Sequence, residues 1–284
     1  MKNMIARMMG FYLNVLSLVS PSLAGRKGFL LFCRPFRLSM SGKQLEFLNA
    51  AKKSVLTTEG QSIQVYQWGN GKKKILFLHG WQSHSYRWKA YIEAFSKDEY
   101  TIYALDAPGH GLSGGNFLSA PLYSAIIEQF INDHGKMHAV ISHSLGGFSL
   151  LYTFYRNPSL AVNKVILMAP PGNAQDFMDF YRQTLGLSNR TSKRIADHFV
   201  SRFNADPAFF STPKFATSVN VNGLIIHDEQ DLEAPYHYAT RINEAWKKSR
   251  LVTTNGLGHN LKSTEVVKEV VAFVSEPVSE PALA

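Results

Sequence analysis

The sequence predicts an α/β domain with a mostly parallel central sheet, helices on both faces and a helical cap insertion. Short apolar runs alternate with amphipathic helical patterns along most of the chain, which is typical of a parallel sheet covered on both sides. The length of 284 residues, of which 45% are apolar and 18% charged, fits one large α/β domain. The interval at about 171–220 interrupts the alternation with helical patterns, and we interpret it as the cap.

The strand predictions come from short apolar or alternating runs that end at turn residues. The predicted strands are Ser62–Trp68, Ile75–Leu78, Tyr100–Leu105, Ala139–Ser142, Lys164–Ala169, Leu224–His227 and Arg250–Thr254. Helical spacing between them predicts helices over Pro121–Asp133, Tyr236–Lys248 and Ser263–Val274, and from Ser144 to about Arg156. In such a sheet the functional residues are expected at the carboxyl ends of the strands.

The predicted cap contains two amphipathic segments, Ala174–Leu185 and Thr191–Phe203, and many aromatic residues. Phe177 and Tyr181 are therefore candidate substrate-binding residues for an apolar group. The alternative is that most of these aromatics pack the cap onto the body of the protein.

The positive charge is concentrated at the N-terminus. Residues 1–53 hold nine basic side chains and the single acid Glu46, whereas the rest of the chain holds 21 basic and 20 acidic side chains. A nucleic-acid-binding protein is expected to spread basic residues over its folded surface, so no nucleic-acid partner is predicted. We divide the chain into a basic, aromatic-rich arm over 1–53 and a catalytic domain over 54–284.

The arm contains a charge-free stretch, Met8–Ala24, that is too short and too polar to predict a membrane span. Our first interpretation is a helical arm docked on the protein's own body. Peripheral membrane contact through residues 1–37 is the second, and export through a signal-like segment is the third. The only cysteine, Cys33, excludes an intramolecular disulfide and fits a reducing compartment. A cytoplasmic protein, with or without membrane association, is therefore expected, and no oligomeric state is predicted.

Ser144 lies in the sequence Ser142-His143-Ser144-Leu145-Gly146, directly after a predicted strand and at the start of a predicted helix. That is the context of a nucleophile elbow, where small residues are needed two positions to either side of the nucleophile. Ser142 replaces the usual glycine on one side. The N–H of Leu145, just after the nucleophile, is a candidate oxyanion donor.

A serine hydroxyl needs a base to take its proton, usually a histidine that a carboxylate orients. His259 follows the last predicted strand in a glycine-rich loop and is the candidate base. Asp231 is the leading candidate acid, with Asp228 and Glu229 as competitors that spacing alone does not exclude. His143 adjoins the nucleophile and is a further candidate for substrate binding.

The second oxyanion donor is expected just after an early strand, where His79-Gly80-Trp81 offers the N–H of Trp81. His134 and His138 are four residues apart, but Gly135 and a change from helix to strand separate them, so no metal site is predicted. No organic cofactor is implied.

Five segments together resemble the α/β-hydrolase superfamily in order and spacing: LFLHGW, LDAPGHGLS (105–113), SHSLGG (142–147), HDEQDLEAP (227–235) and GLGHN (256–260). The resemblance covers roughly Ser54–Val274, and the arm is similar to that of bacterial α/β-hydrolases described as esterases. It implies the α/β-hydrolase fold, with Ser144 as nucleophile, His259 as general base, Asp231 as its orienting acid, and Trp81 and Leu145 as oxyanion-hole amides.

The function expected from this resemblance is hydrolysis of a small-molecule carboxylic ester, thioester or lipid ester through an acyl-enzyme. Activity is then expected to fall at acid pH, because a protonated imidazole cannot accept the serine proton. An acyltransferase or a carbon–carbon bond hydrolase using the same triad is the first alternative. A non-catalytic binding protein of the same fold is the second.

Overall fold

The computed structural model describes residues 2–277. Met1 of the arm and residues 278–284 of the predicted catalytic domain lie outside the described residues. Eight strands form one sheet: β1 (Lys52–Thr58), β2 (Gln61–Trp68), β3 (Lys73–Leu78), β4 (Tyr100–Leu105), β5 (Met137–His143), β6 (Val162–Met168), β7 (Asn222–Asp228) and β8 (Ser249–Thr254).

The order of the strands is β1-β2-β4-β3-β5-β6-β7-β8. All pairs from β4 to β8 are parallel, and only the β1–β2 and β2–β4 pairs are antiparallel. This confirms the predicted mostly parallel sheet. The edge strand β1 was not predicted, because its sequence KKSVLTT is largely exposed and lacks the apolar alternation of a half-buried strand.

Eleven α-helices accompany the sheet in the described part of the chain. They are α1 (Lys2–Val19), α2 (Pro21–Phe32), α3 (Gly42–Asn49), α4 (Lys89–Ala94), α5 (Ala120–His134), α6 (Leu145–Arg156), α7 (Ala174–Leu185), α8 (Asn189–Phe203), α9 (Thr212–Ala216), α10 (His237–Ala245) and α11 (Thr264–Ser275).

Helices cover both faces of the sheet, as predicted. On one face, strand residues such as Phe77 and Ile141 form a buried cluster with Tyr91 of α4 and Val270 of α11. Side chains alternate along a strand, so Tyr103 points to the opposite face, where its ring lies 5.3 Å from that of Phe130 in α5. The apolar runs of the strands are therefore buried on both sides.

The chain divides into two compact units. One combines the chain up to Arg34 with Gly172–Ser211, and the other combines Pro35–Pro171 with the chain from Thr212 onward. The larger unit contains the whole sheet, with α3–α6 and α9–α11. The arm predicted from the sequence, residues 1–53, extends beyond Arg34, so its residues 35–53 belong to the larger unit.

Within the smaller unit, α1 and α2 pack against α7 and α8. Phe29 of α2 is almost fully buried, and its ring lies 6.0 Å from that of Phe199 and 5.7 Å from that of Phe203. The N-terminal helices and the insertion helices thus share one apolar core. Over residues 2–277, no helix combines the length and the apolar character needed to cross a membrane.

Candidate active site

Ser144 lies at a sharp turn between β5 and α6, at the carboxyl edge of the sheet. Its backbone has φ 51° and ψ −123°, a conformation that is rare for a residue with a side chain and is held here by the surrounding structure. The N–H of Ser144 donates to the carbonyl of Met168 at 2.9 Å, which ties the turn to the end of β6. This geometry matches the strand–turn–helix context of a nucleophile elbow.

Small residues flank this turn because backbone passes close on both sides. A Cβ at Gly146 would lie 2.5 Å from the carbonyl oxygen of Leu78, so a larger residue would push α6 away from β3. On the other side, the Ser142 hydroxyl donates to the carbonyl of Ile166 at 3.0 Å. Serine therefore fits where the family pattern has glycine, because a backbone acceptor satisfies its hydroxyl.

The structure brings the three predicted side chains into one hydrogen-bonded chain. His259 Nε2 lies 3.0 Å from Ser144 Oγ, and His259 Nδ1 lies 2.8 Å from Asp231 Oδ2. A carboxylate accepts only, so Nδ1 carries the imidazole proton and Nε2 is left to accept the proton of the serine hydroxyl. The arrangement can deprotonate Ser144 as it attacks an electrophile.

Asp231 is surrounded by donors. Its Oδ1 accepts from the N–H groups of Glu233 and Ala234, and its Oδ2 lies 3.2 Å from Nε2 of the buried His227 as well as facing His259. Burial raises the pKa of this carboxyl, but the bonds from His227, His259 and Ala234 outweigh it and hold the pKa well below its usual value. Asp231 therefore stays ionised.

The two competing acids occupy other positions. Asp228 Oδ2 accepts from Thr254 Oγ1 at 2.8 Å and from the N–H of Leu257 at 2.9 Å. Glu229 faces Asn255, with 3.2 Å between Oε2 and Nδ2. Asp228 thus joins the end of β7 to the loop that carries His259, while Asp231 is the acid in contact with the imidazole.

His143 contacts the His259 loop. It is 4% exposed, and its Nε2 donates to the carbonyl of His259 at 2.8 Å. Burial, and the positive charge of Arg87 nearby, hold the pKa of His143 well below its usual value, so the ring is neutral and Nε2 keeps its proton. Arg87 supports the same loop by donating to the carbonyl of Asn260 at 2.7 Å.

The loop after β3 approaches the serine closely at Gly80. A Cβ on Gly80 would lie 2.8 Å from the Cβ of Ser144, so a residue with a side chain would not fit here without displacing the serine or the loop that leads to Trp81. Leu145 is the first residue of α6, where N–H groups have no acceptor within the helix. Leu145 therefore follows the serine in the chain, and Gly80, which precedes Trp81, approaches it in space.

Two buried histidines hold this loop, a role that sequence analysis missed. His110 Nε2 accepts from the N–H of Gln82 at 2.9 Å, while its Nδ1 donates to the carbonyl of Pro108. His79 Nε2 accepts from the N–H of Ala107. Burial lowers the pKa of both imidazoles to about 3, so both remain neutral acceptors. His110 lies in the segment LDAPGHGLS, one of the segments that carry the family resemblance. Its contact with Gln82 joins two loops that are far apart in sequence, so the sequence did not indicate this role.

The two aromatic candidates for substrate binding lie in the smaller unit. The Tyr181 hydroxyl donates to the carbonyl of Gly28 at 3.0 Å, and its ring lies 5.3 Å from that of Phe32. Phe177 is half-buried on α7. Within residues 2–277, no group of three or more His, Cys, Asp or Glu side chains is placed to bind a metal ion.

Comparisons with known proteins relate this chain to hydrolases. The sequence model of a hydrolase family described as serine aminopeptidase, S33, matches residues 69–257. A bifunctional esterase/perhydrolase of Acinetobacter calcoaceticus is 23% identical over 274 residues, covering 78% of this chain and 98% of the relative.

Solved structures show the same fold. An esterase from Rhodococcus sp. ECU1013 superposes with a TM-score of 0.59 at 16% identity, covering 80% of this chain and 99% of the other. A bromoperoxidase from Bacillus anthracis superposes with a TM-score of 0.63 at 17% identity, covering 79% and 100%. These matches confirm the α/β-hydrolase fold expected from the sequence motifs.

Proposed function

Because the chain belongs to the serine aminopeptidase S33 family of α/β-hydrolases, we propose that it hydrolyses small-molecule carboxylic esters through an acyl-enzyme on Ser144. The observation that carries the proposal is the unbroken contact from Ser144 Oγ through His259 to Asp231. The curated relative that this chain nearly spans is named an esterase, which supports an ester as the substrate class.

In the first step Ser144 Oγ attacks the ester carbonyl carbon while His259 Nε2 takes the hydroxyl proton. The carbonyl oxygen becomes an oxyanion, which accepts hydrogen bonds from the N–H groups of Trp81 and Leu145. His259 then gives its proton to the leaving alkoxide, the bond to the alcohol breaks, and the acyl group stays on Ser144. Asp231 stabilises the imidazolium without taking its proton.

In the second step a water molecule attacks the acyl carbon. His259 takes one proton from that water and returns it to Ser144 Oγ as the acyl bond breaks, releasing the carboxylic acid. A thioester follows the same two steps with a thiol as the leaving group, and a lipid ester follows them with a long acyl chain.

The test is hydrolysis of a panel of p-nitrophenyl esters of increasing acyl length by the wild type and Ser144→Ala. We expect turnover by the wild type and loss of nearly all of it in Ser144→Ala, since removal of the nucleophile leaves only residual rate enhancement. Ser142→Ala is the matched control, because this neighbouring hydroxyl contacts Ile166 and not His259.

Turnover by a folded Ser144→Ala protein equal to that of the wild type would refute the acyl-enzyme. A wild type that is inactive on every ester but active on an aminoacyl p-nitroanilide would refute esters as the substrate class. It would not contradict Ser144 as the nucleophile. Adding a short alcohol to the assay separates hydrolysis from acyl transfer, because a transferase yields the new ester in place of the acid.

A further inference from the structure

The first helix, α1, turns its apolar side chains outward. Its exposed large apolar residues are Met4, Ile5, Met8, Phe11, Tyr12, Val15, Leu18 and Val19. At 100° per residue, these positions fall within an arc of about 140° on one side of the helix. We call this surface the α1 apolar face.

The opposite side of α1 packs on the other helices of the smaller unit and is partly polar. Gly10, Leu13 and Ser17 are buried there. A Cβ at Gly10 would lie 1.9 Å from the carbonyl oxygen of Leu185, so the helix rests directly on backbone. A helix held only by its own protein is expected to bury its apolar stripe and expose its polar one, and α1 does the reverse.

Specific hydrogen bonds fix this orientation. Asn14 Nδ2 donates to the carbonyl of Gly186 at 3.0 Å, and Asn14 Oδ1 accepts from the N–H of Ser188 at 2.9 Å. The hydroxyls of Ser17 and Thr191 are 3.0 Å apart. Rotating α1 to bury its apolar face would break these bonds and leave their polar partners unsatisfied. The outward direction is therefore part of the fold.

The border of the α1 apolar face is cationic on the side of α2. Lys27 of α2 donates from Nζ to Tyr12 Oη at 2.8 Å and lies 5.3 Å from the centre of the Tyr12 ring. Arg26 is exposed beside it, and Leu30, one turn further along α2, is an exposed apolar residue. No acidic residue precedes Glu46 in the sequence. Apolar side chains bordered by cations match the chemistry of a membrane surface that contains anionic lipids.

We propose that the α1 apolar face binds the surface of a membrane containing anionic lipids, with α1 lying in the plane of the interface. A second copy of the chain is a less suitable partner. Symmetric pairing through this face would bring the Lys27 cation at its border near that of the partner, whereas an anionic headgroup neutralises it. The proposal is independent of the reaction at Ser144.

The experiment is co-sedimentation of the full chain with vesicles of phosphatidylcholine alone and of equal parts phosphatidylcholine and phosphatidylglycerol. We expect stronger binding to the anionic vesicles, and weaker binding as salt is added. Phe11→Ser combined with Leu18→Ser should lower the partition coefficient by on the order of a hundredfold, because two apolar side chains that would insert into the membrane are lost. Lys27→Gln should lower it about fivefold, and only on the anionic vesicles.

Phe180→Ser is the matched control. Phe180 and Phe11 are both 70% exposed, but Phe180 lies on α7 near the exposed acids Asp176 and Asp179, which anionic lipid repels. Phe180→Ser should bind vesicles like the wild type. All variants should keep the wild-type circular dichroism, since the replaced side chains are exposed.

Three results would overturn the proposal. The first is a wild type that does not bind the anionic vesicles. The second is a folded Phe11→Ser/Leu18→Ser protein that binds them as well as the wild type does. The third is self-association of the wild type without lipid that this double substitution abolishes, because the face would then join two copies of the chain.

Discussion

Asp231 illustrates how a single carboxylate sets the direction of proton transfer. One of its oxygens is saturated by backbone N–H groups, so the other is fixed toward His259 and His227. The carboxylate thereby selects the imidazole tautomer that has a free Nε2 toward Ser144. The chemistry at this site depends on that tautomer as much as on the negative charge.

Asp231→Asn should lower kcat by about four orders of magnitude, the size of effect expected when the histidine is held in the wrong tautomer. The asparagine oxygen would keep the backbone N–H bonds, which turns its NH₂ group toward His259 and leaves Nδ1 as an acceptor. Nε2 would then carry the proton and could not accept one from Ser144. Steady-state kinetics on a short p-nitrophenyl ester measure the change.

Glu229→Gln provides the control for this prediction, since Glu229 faces Asn255 and not the imidazole. It should retain activity within a few-fold of the wild type. Equal losses in the two variants would show that the orienting role of Asp231 is wrong.

The residues that the structure brings together could be predicted from the sequence because each follows a strand in a recognisable local context. Ser144 follows β5 at a small-residue turn, and His259 follows β8 in a glycine-rich loop. Asp231 could not be separated from Asp228 and Glu229, because all three share one loop and only the fold determines which of them faces His259. His227, which contacts Asp231, carried no local signal.

At the scale of elements, the carboxyl ends of β3, β5, β7 and β8 meet along one edge of the sheet and bring four loops together. Buried side chains fix these loops to one another: His110 holds the loop after β3, and Asp228 holds the loop after β8. The strands could be predicted from apolar runs, but these contacts between loops could not, since no periodicity encodes them. The order of the strands brings the loops close together, and the buried polar side chains fix their positions relative to one another.

Gly80→Ala should lower kcat/KM by about a hundredfold, the effect of losing one oxyanion donor. The added methyl group would meet the Cβ of Ser144 at 2.8 Å and push Trp81 away from the nucleophile. Gly42→Ala is the control, because a Cβ at Gly42 would meet no atom within 4 Å. An unchanged kcat/KM in folded Gly80→Ala protein would argue against Trp81 as a donor.

The buried histidines should make the fold sensitive to acid. The unfolded imidazole has a pKa of ~6.5, whereas burial lowers the pKa of His79 and His110 to about 3 in the fold. Between these values the unfolded chain binds more protons, so the free energy of unfolding falls as the pH is lowered from about 6.5 toward 3. Each histidine contributes up to about 1.4 kcal/mol per pH unit.

His110→Gln should therefore reduce the slope of unfolding free energy against pH by up to about 1.4 kcal/mol per unit, since glutamine can accept from Gln82 without titrating. Urea titrations followed by tryptophan fluorescence across this pH range measure the slope. The exposed His237 gives the control variant His237→Gln, which should change it far less. A wild-type stability that does not vary with pH in this window would contradict the assignment of neutral histidines.

At the scale of the whole molecule, the chain has two units, and the unfolding of each can be measured with its own probe. Cys33, the only cysteine, lies in the smaller unit, whereas the tryptophans Trp68, Trp81, Trp88 and Trp246 all lie in the larger one. Composition alone did not indicate this division, because the insertion and the N-terminal helices form one unit from segments far apart in sequence.

Cys33 should be unreactive in the native protein. Its side chain is buried, and burial raises the pKa of the thiol to about 12, which keeps it protonated at neutral pH. Under increasing urea, we expect thiol labelling at a lower concentration than the tryptophan transition, because the smaller unit has the smaller core. Cys33→Ala controls for non-specific labelling, and a tryptophan transition that precedes labelling would contradict this order.

The most direct test of the catalytic assignment is intact-mass measurement after treatment with a fluorophosphonate, followed by identification of the modified peptide. A single adduct on the peptide containing Ser144 is predicted for the wild type, with no adduct in Ser144→Ala and far slower labelling in His259→Ala. Stoichiometric labelling of a different residue, or a folded wild type that is never labelled, would contradict the proposed nucleophile.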